Sequence, residues 1–269
     1  MSLILDGKPR ECPGLVTRSW LDPGGLRLGR EDHRPRVTRW IRSIILHATV
    51  GDEPQIVRAG AGPSGMAART VAAWESDRRH AGAHLLVDGD GTIFCVADLV
   101  TEATYHAETI NEVSIGIELC ESRALEVWIG QLDALVLLVD ELTRLLGIQR
   151  QIHAPYHAMR GPVPRLAEGG ADCVGIFGHR DQTWKRGQGD PGDAALDSLA
   201  AAGYDRFNFA TNTDLRTWSN RQMTIEVWPD GVPGPLTRAQ LETHGRPCGM
   251  WVPRPGDTPP PAAKGAPNA

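Results

Sequence analysis

Two histidines and an aspartate stand where the chain could bind a metal ion. His47 closes the apolar run in RSIILHAT, and His179 closes a second short run, CVGIFGH. Asp190 follows within the Gly-rich stretch GHRDQTWKRGQGDPG. A catalytic zinc takes three protein ligands with N, O or S donors and keeps a fourth position for water. Two histidines and one carboxylate meet this requirement, which makes the three residues candidate zinc ligands.

The residues alone also leave a structural role open for each of them. A single histidine is more often part of a core than a ligand, and Asp-Pro-Gly is more often simply a turn. Gly187 and Gly189 would let the loop bend Asp190 back towards His179. Glu118, on the polar face of a third predicted strand, favours a site because it adds a second carboxylate to the group.

Short apolar runs predict the strands that position these residues. The runs at 42–49, 113–121 and 173–179 are typical of buried strands. In the second run Ile115, Ile117 and Leu119 share one face, and Gly116, Glu118 and Cys120 share the other. The turn sequence Asp-Gly-Asp-Gly predicts a hairpin within residues 83–99.

Three helices are predicted around these strands. Ser64 can cap a helix that continues to Trp74. The clearest helix has apolar residues at i, i+3, i+4 and i+7 over residues 132–146, with Gly147 at the expected stop. Residues 195–205 are typical of a closing helix.

Strands that alternate with helices, together with one hairpin, predict an α/β fold with a mixed central β-sheet flanked by helices. We expect an irregular, Gly-, Pro- and Arg-rich arm over residues 1–40, followed by the main domain at 41–206. Within that domain, 149–172 is a long loop-like insertion, with His153 and His157 on its surface. A small helical segment at 214–256 and a disordered, Pro/Ala-rich tail at 257–269 complete the prediction.

Composition excludes several classes of function. The 269-residue chain carries a net charge of −5 and a pI near 6.0, so it has no global basic field that would attract nucleic acid or anionic membranes. No apolar run approaches the roughly 20 residues of a membrane span. The start, MSLILDGKPRECPG, lacks the apolar core of a signal peptide, so we expect synthesis in the cytoplasm. The five cysteines form no CxxC and are expected to be buried or free thiols.

Four motifs in order resemble those of the N-acetylmuramoyl-L-alanine amidase type 2 family. They are IILHAT, AHLLVDGDGTIF, YHAETINEVSIGIEL and GHRD…GDPG, and they cover about residues 42–200. The family includes phage amidase-type lysozymes, cytoplasmic anhydromuropeptide amidases and peptidoglycan recognition proteins. The resemblance implies zinc on His47, His179 and Asp190, and a catalytic acid/base at Glu118. The bond implied is the amide between the lactyl group of muramic acid and L-alanine.

The resemblance also implies residues beside the cleft. His84, His106 and Asn111 match positions expected to contact substrate, although a core histidine hydrogen-bonded to the backbone is the alternative for His84. Many relatives carry a Lys two residues before the ligand Asp, where this chain has Gln188. Either Lys185 or the neighbouring Arg186 could supply that cation, or the chemistry could rely on zinc and Glu118 alone. Lys185 is the candidate we name for substrate binding.

The C-terminal part has a weaker resemblance of its own. Residues 215–245 resemble a reduced peptidoglycan-binding repeat, in which Gly and Pro set a turn between two helices. The alternative is a helical hairpin that packs on the main domain.

The leading hypothesis is a monomeric zinc amidase that acts on peptidoglycan or muropeptides, without nucleic acid or a membrane span. A wall-binding segment favours endolysin-like cell-wall lysis after release from the cell. The alternatives are a cytoplasmic muropeptide-recycling amidase and a zinc-free recognition module without catalysis. A Cys-His peptidase using Cys120 is a further alternative, because that thiol shares a face with Glu118.

Overall fold

The computed structural model describes residues 2–50, 55–77, 80–153, 175–182 and 190–207. The strands are β1 Ser2–Leu5, β2 Lys8–Glu11, β3 Thr17–Ser19, β4 His33–Pro35, β5 Ser43–Ala48, β6 Ile56–Arg58, β7 Leu85–Val87, β8 Ile93–Cys95, β9 Glu102–Thr104, β10 Ser114–Leu119, β11 Glu126–Trp128, β12 Gln151–His153, β13 Gly175–Gly178 and β14 Asp205–Phe207. The helices are α1 Met66–Asp77, α2 Ile129–Leu146, α3 His179–Gln182 and α4 Asp193–Ala201, with 3-10 turns at Arg30–Asp32 and Glu108–Val113.

Eight of these strands form one sheet in the order β14-β12-β13-β5-β10-β7-β8-β3. Strands β7 and β8 pair antiparallel, and the other neighbours in this sheet pair parallel. The prediction of a mixed central sheet flanked by helices is therefore confirmed, as is the predicted hairpin. Parallel strands buried on both faces require covering elements, which explains the continuous apolar runs in β5 and β10.

The two faces of β10 pack into different parts of the core, as the alternation predicts. Ile115, Ile117 and Leu119 belong to the larger apolar cluster, which also includes residues of α2 and α4. Cys120, just past the strand, belongs to a smaller cluster with Met66 and other residues around α1. The face that carries Glu118 is therefore the face covered by α1.

Helix α2 confirms the clearest prediction of the sequence. Leu135, Leu138 and Leu142 are fully buried along its inner side, and burial of each leucine side chain contributes about 1.5–3 kcal/mol. Gly147 follows in the left-handed region with φ 68°, and its N–H donates to the carbonyl of Thr143. A residue without a Cβ suits this backbone conformation, so the helix ends where the sequence predicts.

The N-terminus of α1 is capped from the hairpin instead of by Ser64. The carboxylate of Asp88 accepts hydrogen bonds from the backbone N–H groups of Gly65 at 2.6 Å, Met66 at 3.0 Å and Ala67 at 3.2 Å. An acidic side chain here satisfies otherwise unpaired donors and faces the positive end of the helix dipole. The local sequence pattern could not show this cap, because its carboxylate lies more than twenty residues away along the chain.

Residues 1–40 are not the irregular arm that their composition predicts. They contain β1 to β4, and β3 extends the main sheet along β8. Leu3 and Ile4 are fully buried, and Asp98 accepts the N–H groups of Asp6 at 3.1 Å and Gly7 at 2.5 Å. Strands of three or four residues between Gly and Pro are too short to show a periodic pattern, which explains the wrong prediction.

The end of the main domain differs in detail from the prediction. The closing helix α4 begins at Asp193 and ends at Ala201, and β14 then adds an edge strand. Residues 151–153 of the predicted insertion form β12. The remainder of that insertion, the segment at 214–256 and the tail at 257–269 lie outside the described residues. Within the described part of the chain, no helix has the length and apolar character to cross a membrane.

Candidate metal centre

Three adjacent parallel strands bring the candidate site together at one edge of the sheet. His47 lies in β5, and His179 follows directly after β13, which pairs with β5. Glu118 lies in β10 on the other side of β5, in register with His47. The carboxyl ends of parallel strands meet at one edge, where α/β proteins commonly place their ligands. The predicted positions of His47 and His179 at strand ends and of Glu118 on a third strand are thus confirmed.

The three predicted ligands converge on one point. His47 Nδ1 lies 2.9 Å from His179 Nδ1 and 3.7 Å from Asp190 Oδ1. His179 Nδ1 lies 2.9 Å from Asp190 Oδ2. One donor atom from each residue falls within 4.8 Å of the others, and all three side chains are buried. Two imidazoles and one carboxylate at this spacing fit a zinc ion, so the group could hold such a metal.

Backbone contacts hold Asp190 in place. The N–H of Ala48 donates to Asp190 Oδ1 at 3.2 Å, and the N–H of Arg180 donates to the Asp190 carbonyl at 2.6 Å. Arg180 is itself buried, and its guanidinium donates to Asp193 at 2.6 Å. Arg180 is not among the site residues predicted from the sequence, although an Arg directly after His179 in GHRD is a visible signal.

Glu118 and the three candidate ligands line the same open pocket, which has a volume of about 150 Å³. Trp74 and Tyr105 also line it. A second, larger cleft of about 670 Å³ shares Glu118 and Trp74 with the first and extends along α1. The candidate metal centre therefore opens into a groove instead of lying in a closed cavity.

His106 lies directly behind His47. Its Nδ1 is 3.1 Å from His47 Nε2, and its Nε2 is 3.1 Å from Ser114 Oγ. Burial, followed by the proximity of His47, lowers the pKa of His106 well below its ordinary value. Both ring nitrogens of His106 have protein partners, but the residue also lines the pocket. Its predicted contact with substrate therefore stays a prediction.

His84 and Asn111 have structural surroundings. His84 is fully buried, and its Nδ1 accepts the N–H of Gly116 at 3.0 Å while its Nε2 lies 3.0 Å from the carbonyl of Glu102. Burial, followed by the nearby Arg36, lowers the pKa of His84 well below its ordinary value. The structure thus corrects the substrate-contact prediction for His84 to its alternative, a core histidine.

Asn111 shapes the turn that carries His106. Its amide oxygen accepts the backbone N–H of His106 at 3.2 Å and of Ala107 at 2.6 Å. The side chain is buried and its oxygen shapes the turn, so the predicted contact of Asn111 with substrate stays a prediction. Lys185 and Gln188 lie outside the described residues, so the replacement of the usual Lys stays an open prediction.

The described cysteines have no surface exposure that would suit a nucleophile. Cys12, Cys95 and Cys120 are free thiols and buried, as predicted. Burial, followed by the nearby Glu118, raises the pKa of Cys120 well above its ordinary value. A thiol acts as a nucleophile through its thiolate form, which these surroundings disfavour.

The fold and the His-His-Asp group define the chain as an α/β protein with a candidate metal centre at the carboxyl edge of its mixed sheet. The model of the N-acetylmuramoyl-L-alanine amidase family, Amidase_2, matches residues 37–193. This match spans more than half of the chain, and the protein belongs to that family.

Solved structures resemble the chain at low identity. The ectodomain complex of peptidoglycan recognition proteins LCa and LCx with bound tracheal cytotoxin is 17% identical, with a TM-score of 0.45 over 71% of this chain and 98% of that chain. The amidase LysC from Clostridium intestinale URNW is 14% identical, with a TM-score of 0.40 over 67% and 97% of the two chains. Peptidoglycan recognition protein SD from Drosophila is 14% identical, with a TM-score of 0.43 over 71% and 96%. A comparison with curated proteins finds no match.

Proposed function

We propose that the protein is a zinc-dependent N-acetylmuramoyl-L-alanine amidase. It would hydrolyse the amide between the lactyl group of N-acetylmuramic acid and L-alanine in peptidoglycan or its fragments. The observation that carries the proposal is the buried group of His47, His179 and Asp190 with Glu118 on the adjoining strand, in a chain of the amidase family.

The residues divide the chemistry between them. A zinc ion on His47, His179 and Asp190 would supply Lewis acidity towards water and towards the amide carbonyl. Glu118 takes a proton from the attacking water and returns it to the leaving amine nitrogen of L-alanine. Its place in register with His47, facing the same pocket, supports this role.

The cleft along α1 is suited to the stem peptide. It shares Glu118 with the metal pocket, so a chain bound there would present its first amide at the site. Arg69 and Arg123 line the cleft together with Asp77 and Glu121, so it offers guanidinium groups to the carboxylates of a stem peptide and carboxylates to its amino groups.

A recognition module without catalysis is the second candidate function. The likeness to recognition proteins is too distant to favour it, and the presence of three suitable ligands and of Glu118 favours an enzyme. A Cys-His peptidase is disfavoured, because Cys120 is fully buried. For the cellular role we propose cell-wall lysis after release, on the resemblance of the C-terminal segment, with muropeptide recycling in the cytoplasm as the alternative.

The substitution Glu118→Gln tests the assignment of the acid/base. We expect it to leave bound zinc unchanged and to lower kcat for release of stem peptides by about 10²- to 10⁴-fold, the usual contribution of such a group. Zinc content and kcat would be measured on the same preparation. Glu126→Gln is the matched control, because Glu126 is paired with Arg58 away from the pocket.

Wild-type turnover in the Glu118→Gln variant would contradict the proposed mechanism. Binding of peptidoglycan by the wild-type protein with neither zinc nor peptide release would favour the recognition module.

A further inference from the structure

A chain of hydrogen bonds runs from His47 away from the metal centre. His47 Nε2 lies 3.1 Å from His106 Nδ1, and His106 Nε2 lies 3.1 Å from Ser114 Oγ. Ser114 Oγ lies 2.6 Å from the carbonyl oxygen of Ile110. His106, Ser114 and Ile110 are all buried, so this series of hydrogen bonds lies inside the protein.

The far end of this chain fixes the direction of every bond in it. The carbonyl of Ile110 can only accept, so the single proton of the Ser114 hydroxyl must point to it. Ser114 Oγ then accepts from His106 Nε2, which therefore carries a proton. A neutral His106 ring has an acceptor at Nδ1, so His47 Nε2 is the donor in their contact. The lone pair of His47 is thereby left on Nδ1, the atom that faces His179 and Asp190.

We propose that His106 and Ser114 are positioning residues that hold His47 in the Nε2–H tautomer, with its Nδ1 ready to bind a metal ion. Histidine ligands of metals usually donate their second ring N–H to a carboxylate, carbonyl or water, and this fixes tautomer and ring orientation. Here an imidazole takes that place. The inference rests on the proposed function only for the identity of the metal.

Gly116 gives the His106 ring the space it needs. A Cβ at this position would lie 2.7 Å from His106 Cγ and 2.8 Å from its Nδ1, which is closer than these atoms can approach. The backbone N–H of His106 is held by Asn111, as described above. The ring is thus held on several sides, which is what a residue that orients a ligand requires.

The protonation of the two rings tests the inference directly. Long-range ¹H–¹⁵N correlation spectra of the full chain, labelled at histidine and free of metal, would report which nitrogen of each ring carries the proton. Spectra of single His variants would assign the signals. We expect His106 and His47 both to carry the proton on Nε2. A proton on Nδ1 of His106 would overturn the inference.

Zinc affinity gives a second readout. Ser114→Ala leaves His106 Nε2 without its acceptor, and we expect zinc affinity to fall by about 10- to 100-fold, as for other outer partners of metal ligands. Ser43→Ala is the matched control, because Ser43 is equally buried and in register with Ser114 on β5 but bonds the carbonyl of Val113 at 3.4 Å. Equal zinc affinity in the two serine variants would contradict the inference.

Two substitutions of His106 separate orientation from packing. Asn can place its amide oxygen near the former Nδ1 and accept from His47, whereas Leu offers no acceptor. We therefore expect His106→Asn to bind zinc more tightly than His106→Leu, and equal affinity would speak against a positioning role. If the wild-type chain binds no zinc, the proposed function fails, and the tautomers still decide this inference.

Discussion

At the scale of single residues, Asp190 has two functions in the same site. One carboxylate oxygen accepts the N–H of Ala48 at 3.2 Å, and the other lies 2.9 Å from His179 Nδ1. The first contact fixes the carboxylate against β5, and the second directs it to the point where the histidines converge. Contacts with the backbone of β5 therefore help to place the aspartate.

The substitution Asp190→Asn separates these two functions. The amide keeps an oxygen that can accept from Ala48 but loses the negative charge that a zinc ligand supplies. We expect zinc affinity to fall by more than the roughly 100-fold typical of outer partners, as measured by competition with a chelating dye. Asp133→Asn, a substitution of the same kind at an exposed position of α2, is the control. Unchanged zinc affinity in the Asp190 variant would exclude it as a ligand.

The sequence could predict the residues of the site better than their partners. His47, His179 and Glu118 could be predicted, because each lies in or directly after a recognisable apolar strand. The contact of His106 with His47 could not be predicted, because the two residues are 59 positions apart and no local pattern relates them. The same limit explains the substrate prediction for His84, because its hydrogen-bond partners Arg36 and Glu102 come from other parts of the chain.

At the scale of elements, the hairpin of β7 and β8 anchors the helix that forms one wall of the cleft. Asp88 stands directly after β7, and its carboxylate accepts three backbone N–H groups at the start of α1. Trp74 and Arg69, on that helix, line the cleft. The position of the wall thus depends on a cap supplied by the sheet.

The substitution Asp88→Ala tests this link. We expect it to lower the free energy of unfolding by about 1–2 kcal/mol, the upper part of the range for a lost helix cap. The measurement is urea unfolding followed by circular dichroism. Asp90→Ala is a matched control two residues along the same turn, because Asp90 is exposed and bonds only the N–H of Thr92 among the contacts described. Equal stability of the two variants would refute the capping role.

Elements were predictable in proportion to their length and periodicity. Helix α2, with 18 residues, shows its period clearly and ends at a glycine as predicted. Strand β2 has four residues, all exposed, and β3 has three. Within their Gly- and Pro-rich surroundings, neither strand is long enough to show an alternating apolar pattern. These strands form by pairing with β1 and β8, and the sequence alone does not show this pairing.

At the scale of the whole molecule, the parallel centre of the sheet determines where chemistry can occur. Strands β13, β5 and β10 lie side by side, and their carboxyl ends supply His179, His47 and Glu118. Asp190 lies at the same edge, where its backbone carbonyl accepts the N–H of Arg180. The family match over residues 37–193 spans all of these parts, so fold, site and family agree on one region of the chain.

One measurement tests the central claim most directly. The purified protein would be assayed for bound zinc and then incubated with peptidoglycan, with and without a chelator, while free L-alanine amino termini are quantified. We predict one zinc ion per chain and release of stem peptides that begin with L-alanine. The chelator should abolish this release, and added zinc should restore it. Release that persists after complete removal of zinc, or zinc-loaded protein that releases no such peptides, would contradict the account.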